Sequence, residues 1–279
     1  TMTLPKGPEA LAEGKTKIIW SDTSDPGAVI IESKSDITAG DGAQHDILAG
    51  KAAWSTQTTC RVFELIRRYG TRVAYVEQLD TTHFRSINCD MLPYEVVARG
   101  EAHGSYCTRH PDVRKGYEFA TPITELYLKT SNRTWKGHSL VCDDPLLRIN
   151  QSDQDTPLWL FNPKDALHRP FLKLPYADVF TYNNEATMLD SMLATAGGVF
   201  RLLRSAWDRH NLRLVDMKVE FGVGPDGVLR LADVIDNDSW RITEDGAYLD
   251  KQVYRDGGNL RAVARNYARI AHLAGQLTA

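Results

Sequence analysis

The stretch that decides the fold is VDMKVEFGVGPDGVLRLADVID, residues 215–236. Successive side chains of a strand point to opposite faces, so its first half has one apolar and one charged face. The apolar face carries Met217, Val219 and Phe221, and the charged face carries Asp216, Lys218 and Glu220. Gly224-Pro225-Asp226-Gly227 supplies turn chemistry between two β-rich halves. The pattern predicts a β-hairpin with a charged face.

The charged face of this hairpin is a candidate metal site. A two-residue turn centred on Pro225 and Asp226 would place Glu220 opposite Leu231, with Asp233 as its diagonal neighbour. Two converging carboxylates beside a lysine suit Mg²⁺ that holds nucleotide phosphates. A one-residue bulge at Gly227 would change this register. A solvent-exposed hairpin with a polar outer face is the alternative.

Residues that follow the hairpin extend the candidate site. Asp236-Asn237-Asp238-Ser239-Trp240-Arg241 places polar groups just past a strand end, where binding residues are common. Arg241 has the planar donor fork that binds a carboxylate or phosphate. A capped turn leading into the next element would use the same residue types, and this interpretation stays open.

Three further segments carry candidate ligand-binding residues. Lys15 and Lys17 flank a glycine-bearing turn and could neutralise a phosphate, although the motif is shorter than a phosphate-binding loop. Asp36 lies in a polar loop, and Arg99 and Ser105 follow an apolar strand and could bind an anion. The alternative for the lysine segment is a surface strand start, and the alternative for the Asp36 segment is an ordinary connecting loop.

The rest of the chain predicts an α+β fold. Helical apolar spacing covers 51–69, 185–209 and 259–277, the last with its inward residues at Leu260, Val263, Tyr267, Ile270 and Ala274. β-rich stretches predict a hairpin over 14–33 and strands over 71–76 and 94–98. We expect a sheet-rich N-terminal lobe over residues 1–98 and a larger α+β lobe over 99–279. Five prolines within 130–178 predict an ordered excursion with little regular structure.

Composition narrows the class of protein. The chain has 279 residues, a net charge of −3 and 42% hydrophobic residues, which gives no sign of a nucleic-acid or membrane-surface binder. Four cysteines without metal spacing predict reduced thiols in the cytoplasm and no zinc site. No transmembrane stretch is predicted, and Thr1–Gly14 lacks the pattern of a signal peptide.

Six motifs together resemble the SAICAR synthetase family of purine biosynthesis. They occur in the family's order and span most of the chain: EGKTKIIW at Glu13, SKSDITAGDGA at Ser33, MLPYEVVAR at Met91, GSYCTRHP at Gly104, LVDMKVEFGV at Leu214 and LADVIDNDSWR at Leu231. The last two look closest to the animal-type enzymes. The resemblance implies a two-lobed architecture similar to ATP-grasp proteins and kinases.

The resemblance also implies a reaction. ATP would phosphorylate the carboxylate of the aminoimidazole nucleotide CAIR, and the amine of aspartate would then attack the acyl phosphate. ATP and Mg²⁺ would be the cofactors. A nucleotide carboxylate and an amino acid would be the small-molecule partners, and a homo-oligomer is compatible with the resemblance.

Roles for individual residues follow from the same resemblance. Lys15, Lys17, Met91 and Glu95 would bind ATP, and Glu220 and Asp233 would hold Mg²⁺. Asp216, Lys218 and Asp238 would orient the reacting centre. Substrate binding would fall to Arg99, Ser105, Arg241, Asp36 and Lys129.

Departures from the family keep alternatives open. After Lys129 the family commonly has a short acidic stretch ending in Asp-Pro, whereas Asp144-Pro145 comes much later here. Gly100 and Glu101 stand where family members often carry other residues, including a basic one. A diverged amide ligase with another amine or nucleotide acid, a small-molecule kinase and a non-catalytic nucleotide-binding protein remain as alternatives.

Overall fold

The computed structural model describes residues 4–278, and for residue 41 the backbone alone. Five helices and eighteen strands follow one another along this part of the chain. The helices are α1 Lys51–Arg68, α2 Ser105–Arg109, α3 Glu185–Asp208, α4 Gln252–Arg255 and α5 Leu260–Ala274. The strands are β1 Lys6–Glu13, β2 Lys17–Asp22, β3 Ala28–Ser33, β4 Asp36–Ala39, β5 Gln44–Ile47, β6 Tyr75–Gln78, β7 His83–Ile87, β8 Asp90–Glu101, β9 Glu118–Leu128, β10 Thr134–Trp135, β11 His138–Ser139, β12 Leu146–Ile149, β13 Leu158–Phe161, β14 Leu172–Leu174, β15 Arg213–Val223, β16 Leu229–Ala232, β17 Trp240–Glu244 and β18 Ala247–Tyr248.

The chain divides into two compact units. Unit 1 consists of the residues up to Met91, Leu202–Leu214 and the residues from Gly222 onward, and unit 2 consists of Leu92–Arg201 and Val215–Phe221. The assignment of 1–98 and 99–279 to an ATP-binding lobe and a substrate lobe stays a prediction.

Unit 1 contains an antiparallel sheet in the order β1-β2-β3-β7-β6. The predicted hairpin over 14–33 is β2 and β3, which pair from Lys17↔Ser33 to Ser21↔Val29. Helices α1 and α5 pack against each other, and Gln57 Nε2 donates 3.0 Å to the Ala271 carbonyl. Within α5, Val263, Tyr267, Ile270 and Ala274 are buried as predicted.

Leu260 corrects that prediction, because 37% of it is exposed. It is the first residue of α5, and Asn259 caps the helix by accepting a hydrogen bond from the Arg261 amide. The helical periodicity continues to this end, but the neighbouring residues on both sides are exposed. Apolar spacing alone does not show where the buried part of a helix stops.

Unit 2 is built on an antiparallel sheet whose strands run in the order β14-β13-β12-β9-β8-β15. Along β8, the side chains of Leu92, Tyr94, Val96 and Ala98 are buried on one face, while Glu95 and Arg99 belong to the other. Helix α3 begins at Glu185, whose carboxylate accepts from the Tyr94 hydroxyl at 2.6 Å and from the Thr181 and Tyr182 amides.

Segment 130–178 contains more regular structure than its prolines predict, with five short strands, β10–β14. Pro145 and Pro157 stand immediately before β12 and β13, where they donate no ladder hydrogen bond but their carbonyls accept from Leu128 and Asn150. The prolines therefore delimit strands here.

The charged hairpin of the sequence is β15 and β16, but its turn differs from the two-residue form. The Gly224 amide donates to the Val228 carbonyl at 3.0 Å, so three residues form the loop, with Gly227 at φ 76°. A type I turn followed by a left-handed glycine is common in hairpins. The register assumed for Glu220 and Leu231 is therefore wrong by one residue. β15 is also buried on both faces except at Arg213 and Lys218, which excludes a solvent-exposed polar face.

Among the described residues, no helix is both long enough and apolar enough to span a bilayer.

Candidate functional site

The predicted site residues divide equally between the two units. Unit 1 holds Lys15, Lys17, Asp36, Met91, Asp233, Asp238 and Arg241. Unit 2 holds Glu95, Arg99, Ser105, Lys129, Asp216, Lys218 and Glu220.

In unit 2, the charged faces of β8 and β15 and the end of β9 form a lysine–carboxylate cluster. Its members are Glu95 of β8, Lys218 and Glu220 of β15, and Lys129, which follows β9. Lys218 Nζ lies 2.8 Å from Glu95 Oε1 and 3.9 Å from Glu220 Oε1. Lys129 Nζ donates to Glu220 Oε2 at 2.8 Å. Burial opposes the charged form of Lys218, but attraction to Glu95 and Glu220 outweighs it and raises the pKa of Lys218. The cluster holds alternating charges at a half-buried surface.

Asp144 belongs beside this cluster, and the sequence did not single it out as a site residue. Burial and the negative charges of Glu95 and Asp143 raise the pKa of Asp144, and Lys218 opposes this rise. Its carboxylate accepts from the Thr130 amide at 2.9 Å. The pair Asp144-Pro145 could have indicated a site residue, because the family commonly has an Asp-Pro pair after Lys129. Its position in the sequence did not show that Asp144 lies near Lys218 in the fold.

A second group in unit 2, the arginine cluster, surrounds the predicted substrate residue Arg99. Arg99 is 4% exposed, and its guanidinium contacts Glu125 Oε2 at 2.8 Å and Asp216 Oδ2 at 3.1 Å. Its remaining nitrogen, Nη2, donates to Ser105 Oγ at 3.2 Å. Arg99, Ser105 and Asp216, predicted from three separate motifs, therefore lie together.

Arg109 and Glu125 complete the arginine cluster, and sequence reasoning missed both. Arg109 is 3% exposed and forms an ion pair with Glu125, and Tyr127 donates its hydroxyl to the same carboxylate at 2.8 Å. Two buried guanidinium groups need counter-charges, which Glu125 and Asp216 supply. Alternation along β9 places Glu125 and Tyr127 on one face, but only the pairing of β8 with β9 brings them to Arg99.

In unit 1, the first phosphate-binding candidates occupy a turn and a strand. The Gly14 amide donates to the Lys17 carbonyl at 2.9 Å, which closes the turn between β1 and β2 and leaves Lys15 exposed. Lys17 forms an ion pair with Asp233, although 216 positions separate them. Asp233 has φ 61°, a left-handed conformation that aspartate adopts more readily than most residues.

The loop after β16 carries Asp233 and Asp238, and Arg241 lies in β17, which follows that loop. Asp238 contacts two buried groups: Lys51 Nζ lies 3.1 Å from Oδ2, and the Tyr267 hydroxyl donates to Oδ1 at 2.5 Å. Arg241 donates to Gln252 Oε1 at 3.3 Å. Lys51 was not among the predicted site residues.

The two remaining predicted residues of unit 1 are exposed to different degrees. Asp36 contacts His45 Nε2 at 2.7 Å and lies 3.9 Å from Lys34 Nζ. Met91 is 42% exposed at the start of β8, close to the backbone of Gly222.

No group of three or more metal-ligating side chains gathers in the part of the chain that the structure describes. The predicted metal ligands Glu220 and Asp233 belong to different units, and each lies against a lysine.

A cavity of about 400 Å³ lies in unit 2 between β9, β12 and the start of α3. Its wall combines the buried apolar residues Leu126, Leu147 and Leu189 with polar residues that include Glu125, Gln151 and Asp190. None of the predicted site residues lines it. The charged clusters, rather than this cavity, are therefore the candidate site.

Comparison with known proteins gives a consistent set of similarities. A sequence model of the SAICAR synthetase family matches residues 10–145 and 158–272. Phosphoribosylaminoimidazole-succinocarboxamide synthase of Roseiflexus castenholzii is 36% identical over 272 residues, which cover 95% of each chain. The bifunctional phosphoribosylaminoimidazole carboxylase/succinocarboxamide synthetase of Drosophila melanogaster is 35% identical over 94% of this chain and 56% of its own length.

A solved structure described as SAICAR synthetase (Type-2) in complex with ADP is similar in fold. It superposes with a TM-score of 0.72 at 26% identity, covering 95% of this chain and 97% of its own. The predicted α+β class is confirmed by this similarity and by the helices and sheets of the chain.

Proposed function

The chain belongs to the SAICAR synthetase family, and we propose that it condenses CAIR with L-aspartate through an acyl phosphate to give SAICAR, ADP and phosphate. The protein is an ATP-dependent carbon–nitrogen ligase of purine biosynthesis. The observation that carries the proposal is the lysine–carboxylate cluster, in which Lys218 lies between Glu95 and Glu220.

ATP is held by the N-terminal lobe, residues 1–98, in this proposal. Lys15 and Lys17 contact the phosphates. Lys15 is exposed in the turn that begins at Gly14, and Lys17 begins β2, so both ammonium groups can neutralise phosphate charge. Met91 and Glu95 lie along β8 beside the base and ribose. A relative with bound ADP supports nucleotide binding by this fold.

Glu220 and Asp233 hold Mg²⁺ in the proposal. Magnesium in nucleotide sites takes one or two carboxylates and completes its shell with phosphate oxygens and water. Both side chains offer carboxylate oxygens that already lie against a lysine ammonium group, so each accommodates a cation. When bound, the ion neutralises negative charge on the transferring phosphoryl group.

The nucleotide substrate binds through Arg99, Ser105 and Arg241, with Asp36 and Lys129 as further contacts. Arg99 is already oriented by Glu125 and Asp216, so its fork is fixed before a phosphate arrives. Preorganised donors of this kind cost no rearrangement when charge develops.

The reacting centre is oriented by Asp216, Lys218 and Asp238. The CAIR carboxylate attacks the γ-phosphorus of ATP, ADP leaves, and the amine of aspartate then displaces phosphate from the acyl phosphate. Lys218 is held as a cation by its two carboxylate neighbours, which suits it to neutralise the phosphoryl group during both steps. No covalent bond to the protein is required, so positioning and charge are what the residues supply.

We place the enzyme in the cytoplasm with small-molecule substrates as its partners, either as a single chain or as a homo-oligomer. Its four cysteines are free thiols, which agrees with a reducing compartment.

The deciding experiment measures ADP release from the purified protein with Mg²⁺-ATP and CAIR, with and without L-aspartate, and identifies the product by mass. We expect aspartate-dependent release at about 1 per second or faster, with succinocarboxamide product. A stable phosphorylated nucleotide with no amine consumed would instead indicate a kinase. Turnover only with another amine would indicate a diverged ligase.

A further inference from the structure

Lys51 is a buried charge at an unfavourable position. It is the first residue of α1 and is 0% exposed. The N-terminal end of a helix carries partial positive charge, so a lysine there is repelled, and no acidic residue in the first turn offsets it. A buried ammonium group also loses its hydration. Partners outside α1 must therefore stabilise this lysine.

Those partners are carboxylates of the site already described. Asp238 Oδ2 is 3.1 Å from Lys51 Nζ, and Asp236 and Asp36 add attraction from further away. Burial favours the neutral amine, but these carboxylates outweigh it and raise the pKa of Lys51. Two predicted site residues, Asp36 and Asp238, thus act on one buried cation.

Both oxygens of Asp238 are committed to protein groups. Oδ1 accepts from the Tyr267 hydroxyl of α5 at 2.5 Å, and Oδ2 lies against Lys51 of α1 and, at 3.9 Å, Lys251. These contacts tie the loop that carries Asp238 to the two helices α1 and α5.

That loop, residues 233–239, connects β16 to β17 and carries Asp233 and Asp238 of the proposed site. Asp233 begins it in a left-handed conformation, which persists only where the surroundings hold it. Arg241 follows the loop as the second residue of β17. Inside, Asp236 Oδ1 accepts from the Asp238 amide at 2.9 Å, and Asn237 donates to the Leu249 carbonyl at 3.0 Å. Asp238 therefore fixes a loop with internal hydrogen bonds to both α1 and α5, and Thr59 of α1 adds a hydrogen bond to the Ile235 carbonyl at 3.2 Å.

We propose that Lys51 is a positioning residue for the ligase: with Tyr267 it holds Asp238 and so presets the loop that presents Asp233 to Mg²⁺ and nucleotide phosphates. The inference rests on the proposed roles of Asp233 and Arg241. Groups that orient a metal ligand without touching the metal commonly affect metal affinity by about 10–100-fold.

The competing explanation is that the three residues only stabilise unit 1. Stability and positioning separate in a binding measurement that depends on Mg²⁺. A structural role lowers the melting temperature and leaves ADP binding to the folded protein unchanged. A positioning role weakens ADP binding in the presence of Mg²⁺ and has little effect when EDTA removes the ion.

The test uses the full chain and isothermal titration with ADP, in Mg²⁺ and in EDTA. Lys51→Met keeps the length of the side chain and removes its charge, and Tyr267→Phe removes only the hydroxyl. For both variants we expect Mg²⁺-dependent ADP affinity to fall by about tenfold or more, with less than about twofold change in EDTA. Arg269→Met serves as the matched control. Arg269 lies on α5, and the substitution breaks only its exposed ion pair with Glu244 of β17, so this variant should bind ADP as the wild type does.

If Lys51→Met does not fold, Tyr267→Phe decides, because its ring still fills the same space. Wild-type Mg²⁺-dependent affinity in a folded variant overturns the positioning role. A wild-type protein that binds Mg²⁺-ADP but does not join CAIR to aspartate would contradict the proposed function alone, since the binding measurement does not use those substrates.

Discussion

Lys218 Nζ lies 2.8 Å from Glu95 Oε1, although 123 positions separate the two residues in the chain. The contact joins the charged face of β15 to that of β8, neighbouring strands in unit 2. Lys218 also lies 3.9 Å from Glu220, which Lys129 contacts at 2.8 Å, so two ammonium groups compensate the two carboxylates.

Replacing Lys218 by Met should therefore stop ligation without unfolding the protein. Glu95 and Glu220 would repel each other and the incoming phosphates, and we expect kcat to fall by about 100-fold or more. Steady-state ADP release measures the change. Lys173→Met is the control. It removes a lysine of β14 that pairs with Asp153, and it should retain wild-type kcat. Equal losses in both variants would contradict a specific role for Lys218.

Glu220→Gln tests the proposed metal ligand. The amide is nearly the same size but a weaker ligand for Mg²⁺, so we expect turnover to fall at least about 100-fold. Far-UV circular dichroism and the melting temperature should show that the fold is kept. Glu244→Gln, at an exposed ion pair with Arg269, should leave turnover unchanged. Unchanged turnover in Glu220→Gln would remove Glu220 from the metal site.

Asp22 should make stability depend on pH in the acid range. Burial tends to raise its pKa, but hydrogen bonds from Ser24 and Arg85 prevail and lower it below its usual 3.8. The folded state then binds fewer protons than the unfolded state between the two pKa values, so this contribution to stability is present at higher pH. It is lost as pH falls through the lowered pKa.

Asp22→Asn should accordingly be less stable than wild type at pH 7, and the difference should shrink as pH falls from about 5 towards 3. Urea unfolding at each pH measures it. Glu9→Gln, at an exposed carboxylate of β1, should give no such convergence. A difference that stays constant across this range would refute the role assigned to Asp22.

Gly222→Ala should destabilise the protein. A Cβ atom at this position would lie 2.6 Å from Cys89 Cβ and 2.9 Å from Met91 Sδ, closer than atoms pack. Overpacking of this kind costs about 1–3 kcal/mol of unfolding free energy. Gly198→Ala within α3 is the control, and its effect should have the opposite sign. A Cβ atom there would lie 3.9 Å from its nearest neighbour, and alanine in place of glycine inside a helix raises the unfolding free energy by about 0.5–1 kcal/mol. Wild-type urea midpoints in Gly222→Ala would contradict the close approach.

Local pattern was sufficient for the long elements. Helix α1 ends at Arg68, one residue before the end of the predicted helical spacing over 51–69, and Gly70 follows with φ 91°, the left-handed conformation that commonly ends a helix. Helix α3 matches its apolar spacing over Glu185–Asp208. These elements are set by periodicity within one segment, which a sequence displays directly.

Properties that depend on pairing between segments were harder to predict. The three-residue loop at Gly227 shifted the register of the hairpin. Strands β12–β14 were not predicted because the prolines near them indicated irregular structure, whereas Pro145 and Pro157 stand just before strands. Family motifs indicated Arg99, Ser105 and Asp216, and the structure brings them together. Lys51, Glu125 and Asp144 were missed because their importance comes from what lies opposite them. The catalytic and binding roles of the motif residues stay predictions.

Strand β12 lies in the stretch of the chain that the family model does not match. The stretch without a family match, 146–157, begins at its first residue and stops just before β13. Leu146 pairs with Tyr127 on one side and Phe161 on the other, and Leu147 pairs with Leu126 and Leu160. Because β9 and β13 are both antiparallel to β12, they run parallel to each other. A chain without 146–157 would keep an antiparallel sheet only if β13 and β14 reversed direction, so β12 sets the direction in which these two edge strands run.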